Sequence, residues 1–234
     1  MRVSTGIEGL DYILHGGLLA GRTYLVYGQP GTGKTILGLH FLSAGEAGLL
    51  ITFAQTALQL RSDAASIGFN LDHIEILDLS PSPEVFSEVQ SYDIFSPAEV
   101  EREPISRKIS KAVGELQPQR IFVDSFGHFR NLAVDAFQQR RLAQSFFRFA
   151  TAHGATLIVG SEERDSDRDV DGVIRLEFSN TGRGIEVTKF RGSDFRAGVY
   201  TMRLTGAGLL VPIPQGQEDR HDAQGPVRKP RLRA

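Results

Sequence analysis

The octapeptide GQPGTGKT occupies residues 28–35, directly after the apolar run TYLVY at 23–27. It matches the pattern G-x-x-x-x-G-K-[ST] at every fixed position, and the segment that follows, TILGLHFLSAG, has the composition of a helix. In such a strand–loop–helix unit, glycines let successive backbone N–H groups point into one concavity, where they bind phosphate oxygens together with the helix N-terminus. The sequence therefore predicts a nucleotide-binding P-loop.

Two side chains at the end of this loop predict how a nucleotide is held. The ammonium of Lys34 has the reach and charge for the β- and γ-phosphates, and the hydroxyl of Thr35 is a ligand for Mg²⁺. The acid that completes such a site follows another apolar strand, and RIFVDS at 120–125 supplies Asp124 for the Mg²⁺ shell. The predicted phosphate- and metal-binding set is Gly28, Gly31, Thr32, Gly33, Lys34, Thr35 and Asp124.

Several further runs are apolar almost throughout, which is typical of strands buried on both faces of a parallel sheet. They are LLITF (49–53), IEILDL (74–79), RIFVDS (120–125) and ATLIVG (155–160). The segments between them are long enough for crossover helices, most clearly at 136–153. The predicted fold is α/β, with a mostly parallel sheet flanked by helices.

The pattern changes after residue 172. The runs VIRLEF, IEVTKF, VYTMRL and LLVPI are joined by Gly-rich turns, which predicts antiparallel hairpins added to the sheet. From Pro212 onward Pro, Gln, Gly and charged residues dominate. We therefore expect one domain over residues 1–213 and a disordered, basic-ended tail over 214–234.

The amino-acid composition of the chain excludes several classes of function. The 234 residues carry a formal net charge of −2, which gives no bulk reason to expect nucleic acid or a membrane as a partner. The chain has no cysteine, so disulfides and thiolate-bound metals are excluded. No run has the apolar length of a signal peptide or a membrane span, so a cytoplasmic protein is the default expectation.

Two groups of residues resemble known kinds of site but do not meet their requirements. Asp124, Ser125 and His128 lie too close in sequence for the geometry of a nucleophilic triad. DRDVDG at 167–172 begins like a calcium loop, but the required glutamate would fall on Phe178. A solvated acidic loop is the better interpretation of that stretch.

Around the P-loop the chain resembles the KaiC branch of the RecA-like ATPases. The similar motifs are STGIEGLD with GGLLAGR, ITF with ASIGFNLD, LDLSP, FVDS, HGATLIVGSEE and TKFRGS, and they span roughly residues 3–213 in order. The resemblance implies a RecA-type sheet, ATP with Mg²⁺, and a homo-oligomeric, hexameric ring with ATP between subunits. The best-known clock protein of the family has two such domains in tandem, whereas this chain has one.

The resemblance also implies roles for three more residues. TKFRGS would carry a Lys-x-Arg finger, Lys189 and Arg191, that reaches the γ-phosphate held by a neighbouring subunit. Two cations at period 2 on a strand point the same way and suit the charge of a phosphoryl-transfer transition state. The alternative is a pair of exposed charges on one hairpin face. Ser161 matches the small polar sensor that ends the last parallel strand.

One departure from the family pattern bears on catalysis. Where members typically read T-F-E-E, this chain has Ala54 and Gln55. Glutamine positions water through hydrogen bonds but cannot act as a general base, and Glu162 and Glu163 are the alternative bases. We therefore expect a nucleotide-dependent regulatory switch that binds ATP and hydrolyses it slowly. An active ATPase that uses Gln55 to place water is the alternative.

Other functions receive less support. A RecA-like role in DNA recombination or repair would place the loop at 162–171 near DNA, but its six acids against two arginines would repel a phosphate backbone. Where the clock protein has its phosphorylated Ser-Thr pair, this chain has Asp167 and Arg168, so we do not expect an autokinase.

Phe147 widens the apolar face of helix 136–153, through either a subunit contact or deeper burial. The basic tail suggests a docking segment for a protein partner.

Overall fold

A computed structural model of the chain describes residues 1–81, 97–133, 135–164, 167–180 and 182–214. The strands are β1 (Arg2–Val3), β2 (Leu18–Leu19), β3 (Thr23–Tyr27), β4 (Gly48–Thr52), β5 (Ile74–Asp78), β6 (Arg120–Asp124), β7 (Thr156–Ser161), β8 (Gly172–Ser179), β9 (Gly182–Phe190), β10 (Val199–Thr205) and β11 (Gly208–Leu210). The helices are α1 (Glu8–Ile13), α2 (Lys34–Ser43), α3 (Ala57–Ser66), α4 (Pro97–Leu116), α5 (Phe126–Arg130) and α6 (Ala136–Ala152).

Nine of these strands form one sheet in the order β11-β10-β9-β8-β3-β7-β6-β4-β5. Every pairing from β8 to β5 is parallel, and β9, β10 and β11 continue the sheet as antiparallel strands. Connections that contain helices join the parallel strands from β3 to β7, and the segment 162–171 leads from β7 to β8. The predicted α/β fold, with a mostly parallel sheet and C-terminal antiparallel hairpins, is confirmed.

The central strands are apolar throughout because both faces of the sheet are covered. Leu50 and Phe122 face a layer that includes Leu10 of α1 and Leu37 of α2. Leu49, their neighbour on the other face, belongs to a second layer built with α4 and α6. Successive side chains of a strand point to opposite faces, so two cores need a run without polar alternation.

The packing of helix α6 shows which of the two explanations for its wide apolar face is correct. Its buried residues are Ala143, Phe146, Phe147 and Ala150. The ring of Phe147 stacks on that of Phe126 with centroids 5.3 Å apart, so this side chain is part of the core of its own subunit. The side chain of Asp135 caps the helix by accepting a hydrogen bond from Gln138 N.

An arginine that the sequence patterns did not single out fixes the N-terminal segment. Arg120 at the start of β6 is buried, and its Nη1 donates to the carbonyl oxygens of Ser4 at 2.6 Å and Phe41 at 2.7 Å. Its guanidinium lies 4.9 Å from the ring centre of Phe41. The carbonyl partners compensate for the burial of this charge and join the N-terminal segment to α2.

The C-terminal hairpin is held against α2 by a histidine. The Nε2 atom of His40 accepts a hydrogen bond from Leu209 N at 2.8 Å, and its ring packs edge-on against Phe69. Of the tail expected at 214–234, residues 215–234 lie outside the described part of the chain. Among the described residues, no helix combines the length and the apolar character that crossing a bilayer requires.

The contact of His40 predicts a pH dependence of stability. Burial lowers the pKa of the His40 imidazole from its usual 6.5, and a backbone hydrogen bond with Gly6 opposes this only in part. Because the folded pKa lies below the unfolded value, this stabilisation is complete above the unfolded pKa and is lost as the pH falls through the folded pKa. Urea unfolding from about pH 7.5 to about pH 5 should show a steeper loss of stability for wild type than for His40→Gln. Equal slopes would contradict this prediction.

Candidate functional site

The carboxyl ends of three adjacent strands converge on the P-loop. Tyr27 pairs with Ser161 across β3 and β7, and Gly28 N donates to the carbonyl oxygen of Ser161 at 3.2 Å. Val123 of β6 pairs with Val159 of β7, so Asp124 ends at the same edge of the sheet. In parallel α/β sheets, ligands bind in the crevice at this edge. The structure therefore brings the P-loop, Asp124 and Ser161 together.

The backbone of the loop explains its glycines. Gly31 and Gly33 have φ angles of 78° and 108°, a left-handed region that side chains disfavour. A β-carbon on Gly28 would lie 2.3 Å from the carbonyl oxygen of Leu176, so no side chain fits there. The hydroxyl of Thr32 is buried and donates to the carbonyl oxygen of Gln29 at 2.9 Å, which fixes the turn.

The polar side chains of the site lie in contact with one another. Nζ of Lys34 donates to the carbonyl oxygens of Gly28 at 2.7 Å and Gln29 at 3.1 Å. At the start of the same helix, Oγ1 of Thr35 donates to Oδ2 of Asp124 at 2.6 Å. A hydroxyl, a carboxylate and an ammonium thus meet beside the loop, which is the donor set that a Mg²⁺–triphosphate needs.

Burial controls the electrostatics of this set. It raises the pKa of Asp124, against the opposing effects of the Thr35 hydrogen bond and the charges of Lys34 and His128. It lowers the pKa of Lys34, against the charges of Glu162 and Asp124. Within the described ranges, no cluster of three His, Cys, Asp or Glu forms a metal site on its own. Magnesium commonly binds through one or two protein ligands and substrate phosphates, so the set fits a metal that arrives with a nucleotide.

Arg183 is a neighbour of the loop that the sequence reasoning missed. It lies at the start of β9, next to the turn between β8 and β9, donates to the carbonyl oxygen of Gly31, and stacks over the ring of Phe178 at 4.5 Å. The pairing of Phe178 with Arg183 across the hairpin places both residues beside the P-loop. Only the registers of β3, β8 and β9 bring this turn to the loop, so no local motif signals it.

Ala54 and Gln55, which stand where family members typically have two glutamates, lie on the opposite side of Asp124 from the P-loop. Gln55 follows β4, which is separated from the P-loop strand by β6 and β7. Its Nε2 donates to Oδ2 of Asp63 on α3 at 3.2 Å, and Ala54 is exposed. No carboxylate occupies either of these two positions, so neither supplies a general base.

The structure separates the two glutamates that follow β7. Glu163 forms an ion pair with Arg130 at 3.5 Å, and its backbone N–H donates to Oγ of Ser161 at 3.1 Å. The charge of Glu162 instead acts on Lys34, where it opposes the lowering of the lysine pKa by burial. Both line a cleft of about 400 Å³, shared with Ser125, His128 and Ser161.

Lys189 and Arg191 lie at the opposite edge of the sheet from the P-loop of their own chain. Lys189 pairs with Val173, next to the residue that pairs with Tyr24 at the start of β3. Val173 itself pairs with Leu25 in the middle of β3, and Arg191 N donates to the carbonyl oxygen of Asp171, beside Thr23 at the start of that strand. Along the strand direction, Lys189 thus lies about 10 Å and Arg191 about 15 Å from the loop. Lys189 Nζ donates to the carbonyl oxygen of Asp167, and Arg191 Nη2 to that of Arg168. Burial, with the charge of Arg191, lowers the pKa of Lys189.

The acidic loop before β8 differs from the solvated stretch that we predicted. The side chain of Asp169 is only 9% exposed and forms an ion pair with Arg140 at 2.8 Å. Gln144 on the same helix donates to the same oxygen at 2.9 Å. The sequence interpretation of a solvated loop is therefore wrong for Asp169, because α6 supplies partners that its distance along the chain conceals.

The fold and the site together define a RecA-like P-loop nucleotide-binding protein. The model of the family described as ATPase: KaiC matches residues 3–215, and the chain belongs to this family. The resemblance seen in the sequence is confirmed. Family membership and the P-loop together make this a nucleotide-binding chain.

Similar proteins include clock proteins of cyanobacteria. The circadian clock oscillator protein KaiC of Prochlorococcus marinus (strain MIT 9313) is 30% identical over 237 residues, covering 90% of this chain and 46% of that protein. The protein of the same name from Parathermosynechococcus lividus is 32% identical over 234 residues, covering 88% and 41%. The circadian clock protein KaiC2 of Synechocystis sp. (strain ATCC 27184 / PCC 6803 / Kazusa) is 27% identical, covering 90% and 40%. The chain thus spans less than half the length of each relative.

The contact between Thr35 and Asp124 predicts a specific defect in metal use. Asp124→Asn should retain ATP binding without metal but lose the gain in affinity that Mg²⁺ provides, by about 10- to 100-fold. Titration calorimetry with ATP, with and without Mg²⁺, measures this difference. Asp63→Asn, which removes a carboxylate outside the Thr35–Asp124 contact, is the control. An unchanged response of Asp124→Asn to Mg²⁺ would refute this role.

Proposed function

We propose that this chain is an ATP- and Mg²⁺-binding regulatory protein that hydrolyses ATP slowly and acts as a nucleotide-dependent switch. The observation that carries the proposal is the pair Ala54–Gln55. Family members typically have two glutamates there, and here the glutamine side chain is bound to Asp63. Such a site keeps its phosphate and metal contacts while it lacks the usual proton acceptor.

The roles of the site residues follow from their contacts. Gly28, Gly31, Thr32 and Gly33 supply the backbone cradle, and Lys34 exchanges its contacts with loop carbonyls for phosphate oxygens. Thr35 and Asp124 hold Mg²⁺, which neutralises phosphate charge when bound. Ser161 senses the end of the phosphate chain from the neighbouring strand.

A homo-oligomeric ring accounts for Lys189 and Arg191. These cations lie two strands away from β3 and towards its start, away from the P-loop of their own chain. A neighbouring copy, in contrast, can present them to that loop, as the family resemblance implies. We propose a hexamer with ATP at its interfaces, in the cytoplasm, and a protein partner that docks at the tail.

An active ATPase is the second candidate, and one observation favours it. Gln55 follows the strand next to Asp124, so a change of its side-chain rotamer would release it from Asp63 to orient water. A role in DNA recombination has less support, because residues 162–171 carry six acids against two arginines, and Glu162 and Glu163 among them are exposed. Autokinase activity is not part of the proposal.

A charge-matched swap tests the missing carboxylate. In Gln55→Glu/Asp63→Asn the new glutamate gains a neutral neighbour, and the total charge is unchanged. Phosphate release should rise about tenfold or more over wild type, because general-base catalysis contributes about 10²- to 10⁴-fold. Asp63→Asn alone is the control and should stay near wild type. Rapid wild-type turnover that the swap does not increase would favour the active ATPase instead.

Mixing two inactive variants tests the action of the finger between subunits. Lys34→Ala keeps the finger and loses the P-loop lysine, whereas Lys189→Ala/Arg191→Ala has the reverse defect. If the finger acts between subunits, co-assembled mixtures regain turnover at roughly a quarter of the interfaces, as random placement around a closed ring predicts. Turnover in the mixture that merely equals the average of the two variants would argue against a shared site.

A further inference from the structure

One carboxylate beside the P-loop has no structural partner. Glu162 forms no hydrogen bond or ion pair with any other residue that the structure describes, and it is exposed in the cleft that Ser125 and His128 also line. The neighbouring Glu163, in contrast, forms an ion pair with Arg130. A carboxylate without a structural role at the edge of a phosphate site is a candidate for chemistry.

Backbone contacts determine where Glu162 lies. The preceding residue, Ser161, accepts the N–H of Gly28, and the carbonyl of Gly28 accepts Nζ of Lys34 at 2.7 Å. Glu162 thus follows directly on the segment that is bonded to the first residue of the P-loop. On its other side, Ser161 borders β6, the strand that ends in Asp124. Glu162 therefore follows the end of the strand that lies between the P-loop strand and β6.

We propose that Glu162 is the general base for the ATP hydrolysis that this chain retains. This inference rests on the proposed function, because it assigns a catalytic residue to the same site. A water oxygen forms a bond to the γ-phosphorus while the bond to the β,γ-bridging oxygen breaks and ADP leaves. The water proton passes to the Glu162 carboxylate, which then returns it to solvent.

The competing groups are less suitable. Gln55 cannot take up a proton, and it is bonded to Asp63. Glu163 forms an ion pair with Arg130 at 3.5 Å. His128 lines the same cleft, and its charge acts on Asp124 rather than on Lys34. Glu162 differs from all three in being a carboxylate that forms no hydrogen bond or ion pair with the described residues and whose charge acts on Lys34.

Two neighbouring glutamates provide a matched experiment. Glu162→Gln removes the base and keeps the shape, and Glu163→Gln makes the same change one residue later, in an ion pair outside the reaction. Phosphate release and the Kd for Mg²⁺–ATP are measured for both variants, for wild type and for Lys34→Ala. Thermal melting confirms that each variant is folded.

The expected pattern separates chemistry from binding. Glu162→Gln should fall to the Lys34→Ala background in turnover, with a Kd that is unchanged or lower because a negative charge near the phosphates is gone. Glu163→Gln should keep wild-type turnover. Glu162→Asp, with its shorter side chain, should retain part of the rate.

Each other outcome overturns the assignment. Wild-type turnover in Glu162→Gln would show that the base lies elsewhere, and a joint loss of turnover and binding would show a structural role. If wild type hydrolyses ATP no faster than Lys34→Ala, there is no reaction for Glu162 to catalyse, and the assignment fails even though ATP binding is retained. Failure of wild type to bind ATP would instead refute the proposed function.

Discussion

The hydrogen bond from Thr35 to Asp124, 2.6 Å long, joins the two halves of this molecule's candidate site. It requires α2 to begin where β3 ends and β6 to end at the same edge of the sheet. β7, placed between those strands, sets their separation through its register with both. The apolar runs, the two-sided core and the glycines of the loop serve this arrangement, since a shift of one strand would separate the hydroxyl from the carboxylate.

The same arrangement buries two charged side chains, Lys34 and Asp124, which a bound ligand would stabilise. Burial lowers the pKa of Lys34 and raises that of Asp124, so each charge is less stable here than in water. Lys34 compensates with two loop carbonyls, and Asp124 with one hydroxyl. A polyanion with a divalent cation offers both groups stronger partners, which gives binding a driving force beyond the shape of the loop. Binding and hydrolysis are thus separable, because the residues that hold phosphate are distinct from the one that accepts a proton.

Local signals predicted much of this molecule, and contacts between distant segments account for what they missed. The P-loop, the buried strands and α6 were predicted because a pattern within a few residues defines each one. Arg183, His40 and Asp169 gave no such signal, since their partners are Gly31, Leu209 and Arg140. The wide face of α6 was ambiguous for the same reason: α5, a short helix that no periodicity announced, provides the ring that covers Phe147. The distance of Lys189 from its own P-loop follows only from the antiparallel register of β9.

The most direct test of this account is calorimetric titration of Mg²⁺–ATP into wild type and Lys34→Ala. The account predicts stoichiometric binding to wild type and a Kd at least about tenfold higher for the variant, because a hydrogen bond to a charged group contributes about 1.5–3 kcal/mol. Lys108→Ala, which removes a lysine from α4 rather than from the loop, should match wild type. Wild-type protein that does not bind, or equal affinity in Lys34→Ala, would contradict the claim that the P-loop holds a nucleotide.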